Sequence, residues 1–367
     1  MKTIVNIISE QTIPNYLFIK EMFQPGDQLM FISSKKMSDR IDWIEKALNW
    51  NLCNPQHIVL EKDDDEENWA SMSIQIEKYL TKNNDYIVNL TGGTKYMALA
   101  VHNIFAKYNS NFYYIPYPKN IILSTAEDEA KLITYRVSVS EYVKLYNQQL
   151  NNSHDPCKSM EYVNKMFDLF TKDYDNNDYD IIDSLRKYRD IKKSVNVAYI
   201  ETKDNEDKAP KIKGLSDFLN KISFEHDGSL TGEQIRFLTG GWFEELVYYR
   251  VKEILRPKDI VLGPKTKSTN NDLDVVFTLG NKLYVIECKT GVDGRKMLNE
   301  IVYKASALKE NLLGLAARSF IFSLGKDDEL WSCAAKNMNI TYYGRSYFEN
   351  NEKFEKILDG IYKDSKE

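Results

Sequence analysis

From residue 3 to about residue 115, short apolar runs alternate with stretches in which apolar residues recur every three or four positions. The runs at 3–8, 28–32, 57–60, 86–90 and 111–115 are rich in Ile, Val, Leu and aromatic residues and predict strands. The stretches at 13–22, 38–48, 66–82 and 95–107 predict helices between them. Such a βαβα order implies a mostly parallel, doubly wound sheet with right-handed crossovers. Near residue 140 the rhythm stops, and Ser140 is placed to cap a helix opening at Glu141.

A second pattern begins near Leu238: a helix at about 240–255, strands at 259–262, 273–279 and 282–288, then a helix at about 296–310. A strand at 319–322, a further helix and a strand at 340–343 follow. This is also an α/β order, distinct from the first. Between the two, 200–213 is charged and irregular, as a loop would be. The acid- and Asn-rich stretch 173–180 lacks the glycine and the closing glutamate of a calcium loop, so a polar loop is expected there.

Composition bounds the reading. The 367 residues exceed one ordinary core and predict two or three domains of about 100–200 residues each. A hydrophobic share of 43% and a charged share of 28% exclude bulk disorder. The net charge of −5 gives no support to a nucleic-acid partner, although a local basic groove is compatible with it. Cys53, Cys157, Cys288 and Cys333 are scattered and do not cluster with histidine, so no zinc site is expected. The apolar start, Met1 to Ile8, is far short of a signal or spanning segment. A cytoplasmic protein with no membrane contact is the expectation.

The chemistry concentrates in one hairpin. Leu273-Asp274-Val275-Val276-Phe277-Thr278-Leu279 and Lys282-Leu283-Tyr284-Val285-Ile286-Glu287-Cys288-Lys289 flank Gly280-Asn281, a two-residue turn signal. That turn sets Leu279 against Lys282 and, counting outward, Asp274 against Glu287. Lys289 follows two residues on and shares their face. Directly opposed carboxylates repel, and a divalent cation reverses the sign of that term. Hard oxygen ligands suit magnesium or manganese. Such a metal with an adjoining lysine is what phosphodiester hydrolysis needs. Glu244 or Glu245, from the helix after Gly240-Gly241-Trp242-Phe243, can complete the set.

A second candidate site lies in the first pattern. The fourth strand ends in Asn89-Leu90-Thr91-Gly92-Gly93-Thr94-Lys95 and a helix starts at once. Paired glycines there allow close backbone approach, and a helix N-terminus favours phosphate. Walker spacing is absent, so this is not a P-loop. Ser9-Glu10-Gln11-Thr12 ends the first strand. In a doubly wound sheet, strands one and four commonly flank the switch point where ligands bind.

Asp274 with Glu287-Cys288-Lys289, after the helix Gly241-Trp242-Phe243-Glu244-Glu245, resembles the PD-(D/E)XK restriction-endonuclease-like fold. The resemblance implies a nuclease in which Asp274 and Glu287 bind the metal and Lys289 assists the attacking water. The Gly-x-Phe-Glu pattern points to Glu244 as the third metal-site acid. Leu273 stands where the family usually has proline, and Lys304 falls where it often has an auxiliary polar residue. The N-terminal half, through Ile8-Ser9-Glu10-Gln11-Thr12-Ile13-Pro14 and Leu90-Thr91-Gly92-Gly93-Thr94-Lys95, resembles the CARF (CRISPR-associated Rossmann-like) sensor domains. Together the halves resemble the type III CRISPR accessory effectors. That resemblance implies a CARF-like sensor at 1–145, a helical connecting region at 146–235 and a nuclease domain at 236–367. It further implies a homodimer binding cyclic oligoadenylate, cyclic tetra-adenylate by its matching two-fold symmetry, through Ser9, Glu10, Gln11, Thr12, Thr91, Gly92, Gly93, Thr94 and Lys95. Its substrate would be DNA, RNA or both. The rival reading is a nucleotide-sensing regulator whose second domain binds nucleic acid or protein without cutting.

Overall fold

The computed structural model describes the chain except for residues 1, 50–53, 62–64, 127, 173–175, 203–209, 268–271, 292–316, 326–332, 334, 335, 337–339 and 367. The helix expected at 296–310, with Lys304, lies outside the described residues.

The N-terminal sheet uses β1 (Lys2–Ile7), β2 (Gln28–Ser33), β3 (Gln56–Val59), β4 (Asp85–Asn89), β5 (Asn109–Tyr114), β6 (Ile121–Ser124) and β7 (Ala130–Leu132), in the order β3-β2-β1-β4-β5-β6-β7. The first five are mutually parallel. Strand order reverses between β1 and β4, which pair from Lys2↔Asp85 to Asn6↔Asn89. The ligand-binding crevice of a doubly wound sheet therefore opens above these two strand ends. Two antiparallel strands, β6 and β7, extend the sheet beyond the expected rhythm. They are short and half exposed, so their apolar signal is weak.

Helices α1 (Ile13–Met22) and α2 (Asp39–Leu48) cover one face of this sheet, and α3 (Trp69–Glu77) and α4 (Lys95–Phe105) the other. The logic of α4 is local. Thr94 accepts a hydrogen bond from the Met97 amide as N-cap. Met97, Ala100, Val101, Ile104 and Phe105 then recur at helical spacing and are all buried. Next comes α5 (Val139–Lys144), whose cap is Ser138 and not Ser140: Ser138 and Glu141 form a reciprocal capping box.

The connecting stretch supplies α6 (Met160–Lys172), α7 (Asn176–Leu185), α8 (Val197–Thr202), α9 (Leu215–Lys221) and α10 (Gly232–Arg236). Helix α7 corrects the expectation of a polar loop at 173–180 from residue 176 onward, and residues 173–175 lie outside the described residues. Asn and Asp compete with helical hydrogen bonds locally, but Ile181, Ile182 and Leu185 bury an apolar side that overrides this. These helices share one core with α11 (Trp242–Arg250) and with one face of the C-terminal sheet.

Two short ladders join distant segments: β8 (Leu150–Asn151) pairs β12 (Lys265–Thr266), and β9 (Val195–Asn196) pairs β10 (Ser229–Leu230). The C-terminal sheet runs β11-β13-β14-β15-β16, from β11 (Asp259–Leu262), β13 (Val275–Leu279), β14 (Lys282–Lys289), β15 (Arg318–Ser323) and β16 (Thr341–Tyr343). It is buried on both faces. Val275, Phe277, Tyr284 and Ile286 face α11, whereas Val276, Leu283 and Val285 join the core of α1, α2 and α5. The N-terminal unit thus packs directly on the sheet that carries the acids. A closing helix, α12 (Asn351–Lys366), completes the C-terminal unit.

The β13–β14 turn rivets the two units together. Gly280 and Asn281 have φ of 59° and 62°, the left-handed pair of a type I′ hairpin. Asn281 is 1% exposed. Its side chain donates to Asn120 Oδ1 (2.6 Å) and the Tyr135 carbonyl (3.1 Å) and accepts from the Val137 amide (2.9 Å). The Gly280 carbonyl accepts from Asn120 Nδ2 (2.9 Å), and the Asn281 carbonyl from the Tyr117 hydroxyl (3.0 Å). Leaving such partners buried and unsatisfied costs about 1–3 kcal/mol. Asn281→Ala is expected to lower stability by about that amount, and the Asn120→Ala/Asn281→Ala pair by less than the sum of the singles. Denaturant melts of the four proteins measure this, and strict additivity would contradict it.

Candidate functional site

The ladder from Leu279↔Lys282 to Val275↔Ile286 is the expected register. Asp274 sits one residue before β13, opposite Glu287, and both are mostly buried. Lys289 Nζ lies between them, 3.3 Å from Asp274 Oδ2 and 2.8 Å from Glu287 Oε1. Asp274 Oδ2 also accepts from the Cys288 amide at 2.6 Å, which fixes its rotamer. By the two-residue period these three side chains continue the row of Val276, Leu283 and Val285.

Glu244 and Glu245 part company on α11. The Glu245 carboxylate is buried and accepts from the Cys157 and Lys158 amides, at 2.7 and 3.0 Å. It anchors the chain entering α6. Glu244 lies in the field of Asp274, Lys289, Glu287 and Arg189. Just before α11, the chain kinks at Gly240, whose φ of 177° and ψ of −43° are not helical. The Thr239 carbonyl in that turn accepts from Thr290 Oγ1 (2.8 Å), the residue after Lys289.

Electrostatics follow from burial and charge count. Burial first, then Asp274 and Glu287, push the Glu244 carboxyl up to about 8, against the partial relief of Lys289 and Arg189. Burial alone would lower the Lys289 ammonium, but Asp274, Glu287 and Glu244 outweigh it and hold its pKa above the ordinary lysine value. Burial and the same acids push the Cys288 thiol up, so it is a poor nucleophile.

The donor set suits a hard divalent cation. Asp274 and Glu287 offer buried carboxylate oxygens that already share a cationic group. Two carboxylates share one ammonium there, so their charges are incompletely balanced. Among the described residues no group of three or more His, Cys, Asp or Glu is gathered for coordination, so the pair is the natural holder and Glu244 an adjoining acid.

At the N-terminal candidate site the two turns do meet. A Cβ on Gly92 would lie 1.8 Å from the Ile7 carbonyl oxygen and 3.4 Å from Ser9 Oγ. Gly93 has φ +74° and also abuts Ile7. Both glycines are therefore required by the close approach of β1 and β4. Ser9, Glu10, Gln11, Gly93, Thr94 and Lys95 retain accessible surface, and Lys95 opens α4. Thr12 and Thr91 are turned to structure. Thr12 Oγ1 donates to the Leu145 carbonyl (2.6 Å), while Thr91 Oγ1 donates to Asn89 Oδ1 (2.6 Å) and accepts from the Ile115 amide (2.8 Å). Sequence reading missed the support beneath: Asn89 Nδ2 donates to Asn6 Oδ1 and Asn15 Oδ1, all three residues fully buried. Asparagines in otherwise apolar strands were the available signal.

Comparisons with known proteins agree with this fold. Residues 3–142 match the Card1 CARF domain and residues 231–357 the Card1-like endonuclease domain. The fold is similar to the Vibrio cholerae protein VC1899, with a TM-score of 0.76, 16% identity, and 99% of this chain and 98% of that one covered. It is similar to Can2 from Sulfobacillus thermosulfidooxidans, solved with cyclic tetra-adenylate, with a TM-score of 0.71, 20% identity, and 98% and 99% covered. A type III CRISPR defence DNA nuclease activated by cyclic oligoadenylate gives a TM-score of 0.58 at 14% identity, over 97% of this chain and 51% of that one. By sequence, no curated protein matches the chain.

The raised Glu244 carboxyl has a stability signature. Between the ordinary 4.5 and about 8, the folded state keeps a proton that the unfolded state has released. Its stabilising contribution is full below 4.5 and is lost as pH rises through about 8. Metal-free protein is expected to melt progressively lower across this window, and Glu244→Gln to flatten the decline. Equal slopes in calorimetric melts of the two proteins would assign the titration elsewhere.

Proposed function

This chain belongs with the proteins that join a Card1 CARF domain to a Card1-like endonuclease domain, and from that premise we propose a divalent-metal-dependent endonuclease activated by cyclic oligoadenylate in type III CRISPR defence. The observation that carries the reading is Lys289 seated between Asp274 and Glu287 at the open end of the β13–β14 hairpin, inside the segment matched to an endonuclease.

Asp274 and Glu287, with Glu244 adjoining, are the residues that would hold magnesium or manganese, which supplies a Lewis acid and an acidified water when bound. The chain's own groups do the rest. The Cys288 amide holds Asp274 in place. In the metal-free protein Asp274, Glu287 and Glu244 raise the Lys289 pKa against the opposing pull of burial, and its ammonium would steady the negative charge that grows on the phosphoryl oxygens as water attacks. The substrate is DNA, RNA or both.

The activator site is the crevice at Ser9, Glu10, Gln11, Thr12, Thr91, Gly92, Gly93, Thr94 and Lys95. A homodimer would bring two such crevices to one ring, and a four-adenylate ring has the matching two-fold symmetry. Support comes from the capture of this ligand by Can2, a chain of the same fold. Thr12 and Thr91 then shape the crevice through their structural hydrogen bonds, leaving the exposed polar groups and free α4 amides for the ring.

Two outcomes test the reading. Asp274→Asn, Glu287→Gln and Lys289→Ala are each expected to slow cleavage at least about a hundredfold while calorimetry finds unchanged activator affinity; cleavage of wild-type rate by any of them removes that residue from the site. Lys95→Ala is expected to weaken ring binding and raise the activator concentration that half-activates cleavage, with little change in the rate at saturation. Unaltered affinity in this variant would take Lys95 out of the crevice.

A further inference from the structure

The carboxylates raise a problem that the hairpin alone does not answer. A polyanion must approach Asp274, Glu287 and Glu244 on a chain whose net charge is −5. Whole-molecule charge repels it, so a local cationic path has to guide it. The connecting region provides one. Residues 186–193 read Arg-Lys-Tyr-Arg-Asp-Ile-Lys-Lys, five basic residues against one acidic.

The fold seats this segment beside the acids. Arg186 Nη2 donates to Thr290 Oγ1 at 2.8 Å, one residue beyond Lys289. Gly291 makes room for it: a Cβ there would lie 2.6 Å from Arg186 Nη1. Arg189 donates to Thr239 Oγ1 and to the Thr239 carbonyl, both at 2.6 Å, in the kinked turn that leads to Glu244. Exposed Arg236 adds a third guanidinium by donating to the Arg189 carbonyl at 2.9 Å. Lys187, Lys192 and Lys193 are exposed and continue the strip outward. Buried Tyr188 pins the segment through its hydroxyl on the Pro210 carbonyl, 2.6 Å away. An ordinary solvated basic run would have no reason to turn its arginines inward against the acid-bearing strand. Arg186 is also paired with Asp183 at 3.3 Å, while Arg186 and Arg236 both act on Arg189 as like charges, and the planar forks of these side chains match phosphate.

We propose that Arg186, Lys187, Arg189, Lys192, Lys193 and Arg236 form the track that binds the substrate's phosphodiester backbone and delivers it to Asp274 and Glu287. The proposal rests on the nuclease reading and adds where the strand lies.

The test uses full-length protein with cyclic tetra-adenylate and fluorescent oligothymidylate or oligouridylate as probes. Anisotropy in calcium reads binding, and manganese assays read cleavage. The variant K187Q/K192Q/K193Q changes only exposed side chains and so preserves the fold. It is expected to weaken binding and raise KM about tenfold, with kcat moving no more than about twofold, and to lower the salt slope of binding by about 2, from three lost contacts at about 0.7 each. K187R/K192R/K193R is expected to restore both. R186Q/R189Q is expected to add a kcat loss, and if it does not fold the lysine variant still decides. A loss confined to one oligonucleotide supports the track and identifies the backbone it takes. Wild-type affinity and salt slope in the lysine variant with both probes overturn the proposal. Binding without cleavage by the wild-type protein would instead overturn the nuclease reading and leave the track standing.

Discussion

Asp274 and Glu287 place two negative charges where a strand leaves a packed core, and a single ammonium, that of Lys289, lies between them. Unit charges about 4 Å apart interact by about 4 kcal/mol at an effective dielectric of about 20. That is a large part of the about 5–15 kcal/mol by which a domain is stable. Surface ion pairs, at about 0–1 kcal/mol, could be lost without consequence, but this cluster could not. Much of the neighbourhood answers to it. The Cys288 amide neutralises part of Asp274, Glu244 keeps its proton well above the usual carboxyl range, and Arg189 sits within reach of Glu244.

Holding charges in such an arrangement requires a frame that cannot relax. The C-terminal sheet is clamped on both faces, by α11 and the connecting helices on one side and by the N-terminal unit on the other. Strand period then does the positioning. Val276, Leu283 and Val285 lock one row into the core of the N-terminal unit, and Asp274, Glu287 and Lys289 occupy the open end of that row. Glu245 serves the same end from α11 by tying the 157–158 backbone, which leaves the neighbouring Glu244 to face the acids.

How much of this was legible from the residues depends on the range of the interaction involved. The hairpin register followed from Gly280-Asn281 and two-residue alternation, and the β1–β4 switch point from the βαβα order. Both are local or nearly so. Helix α7 was not legible, because its Asp and Asn residues favour coil until Ile181, Ile182 and Leu185 find a core assembled from distant segments. Strands β6 and β7 carry too few buried positions to register as a pattern. Ser138 and Ser140 are both good cap residues, but only Ser138 has a glutamate three residues on, the capping-box spacing that the structure realises. Arg186 and Arg189 reach Thr290 and Thr239 across about fifty to a hundred residues of chain, so their basic segment reads as a solvated run until the fold is known.

The surface that joins the units is the direct physical link between the two candidate sites. A ligand with equal affinity for two arrangements shifts neither. Moving a competent form from about one per cent to near saturation takes roughly 5.5 kcal/mol of differential binding. Transmission needs an element with few ways to move, and the hairpin is one. Its turn is held by Asn120, Tyr117, Tyr135 and Val137 of the N-terminal unit, and its far end carries Glu287 and Lys289. A displacement of Tyr117, Asn120, Tyr135 and Val137 would not be absorbed by a turn whose Asn281 is buried and bonded to them, so it would pass into β13 and β14. There it acts on charges whose energies change steeply with separation. Small shifts at the rivet would therefore be passed toward the acids, because the sheet between them is packed on both faces.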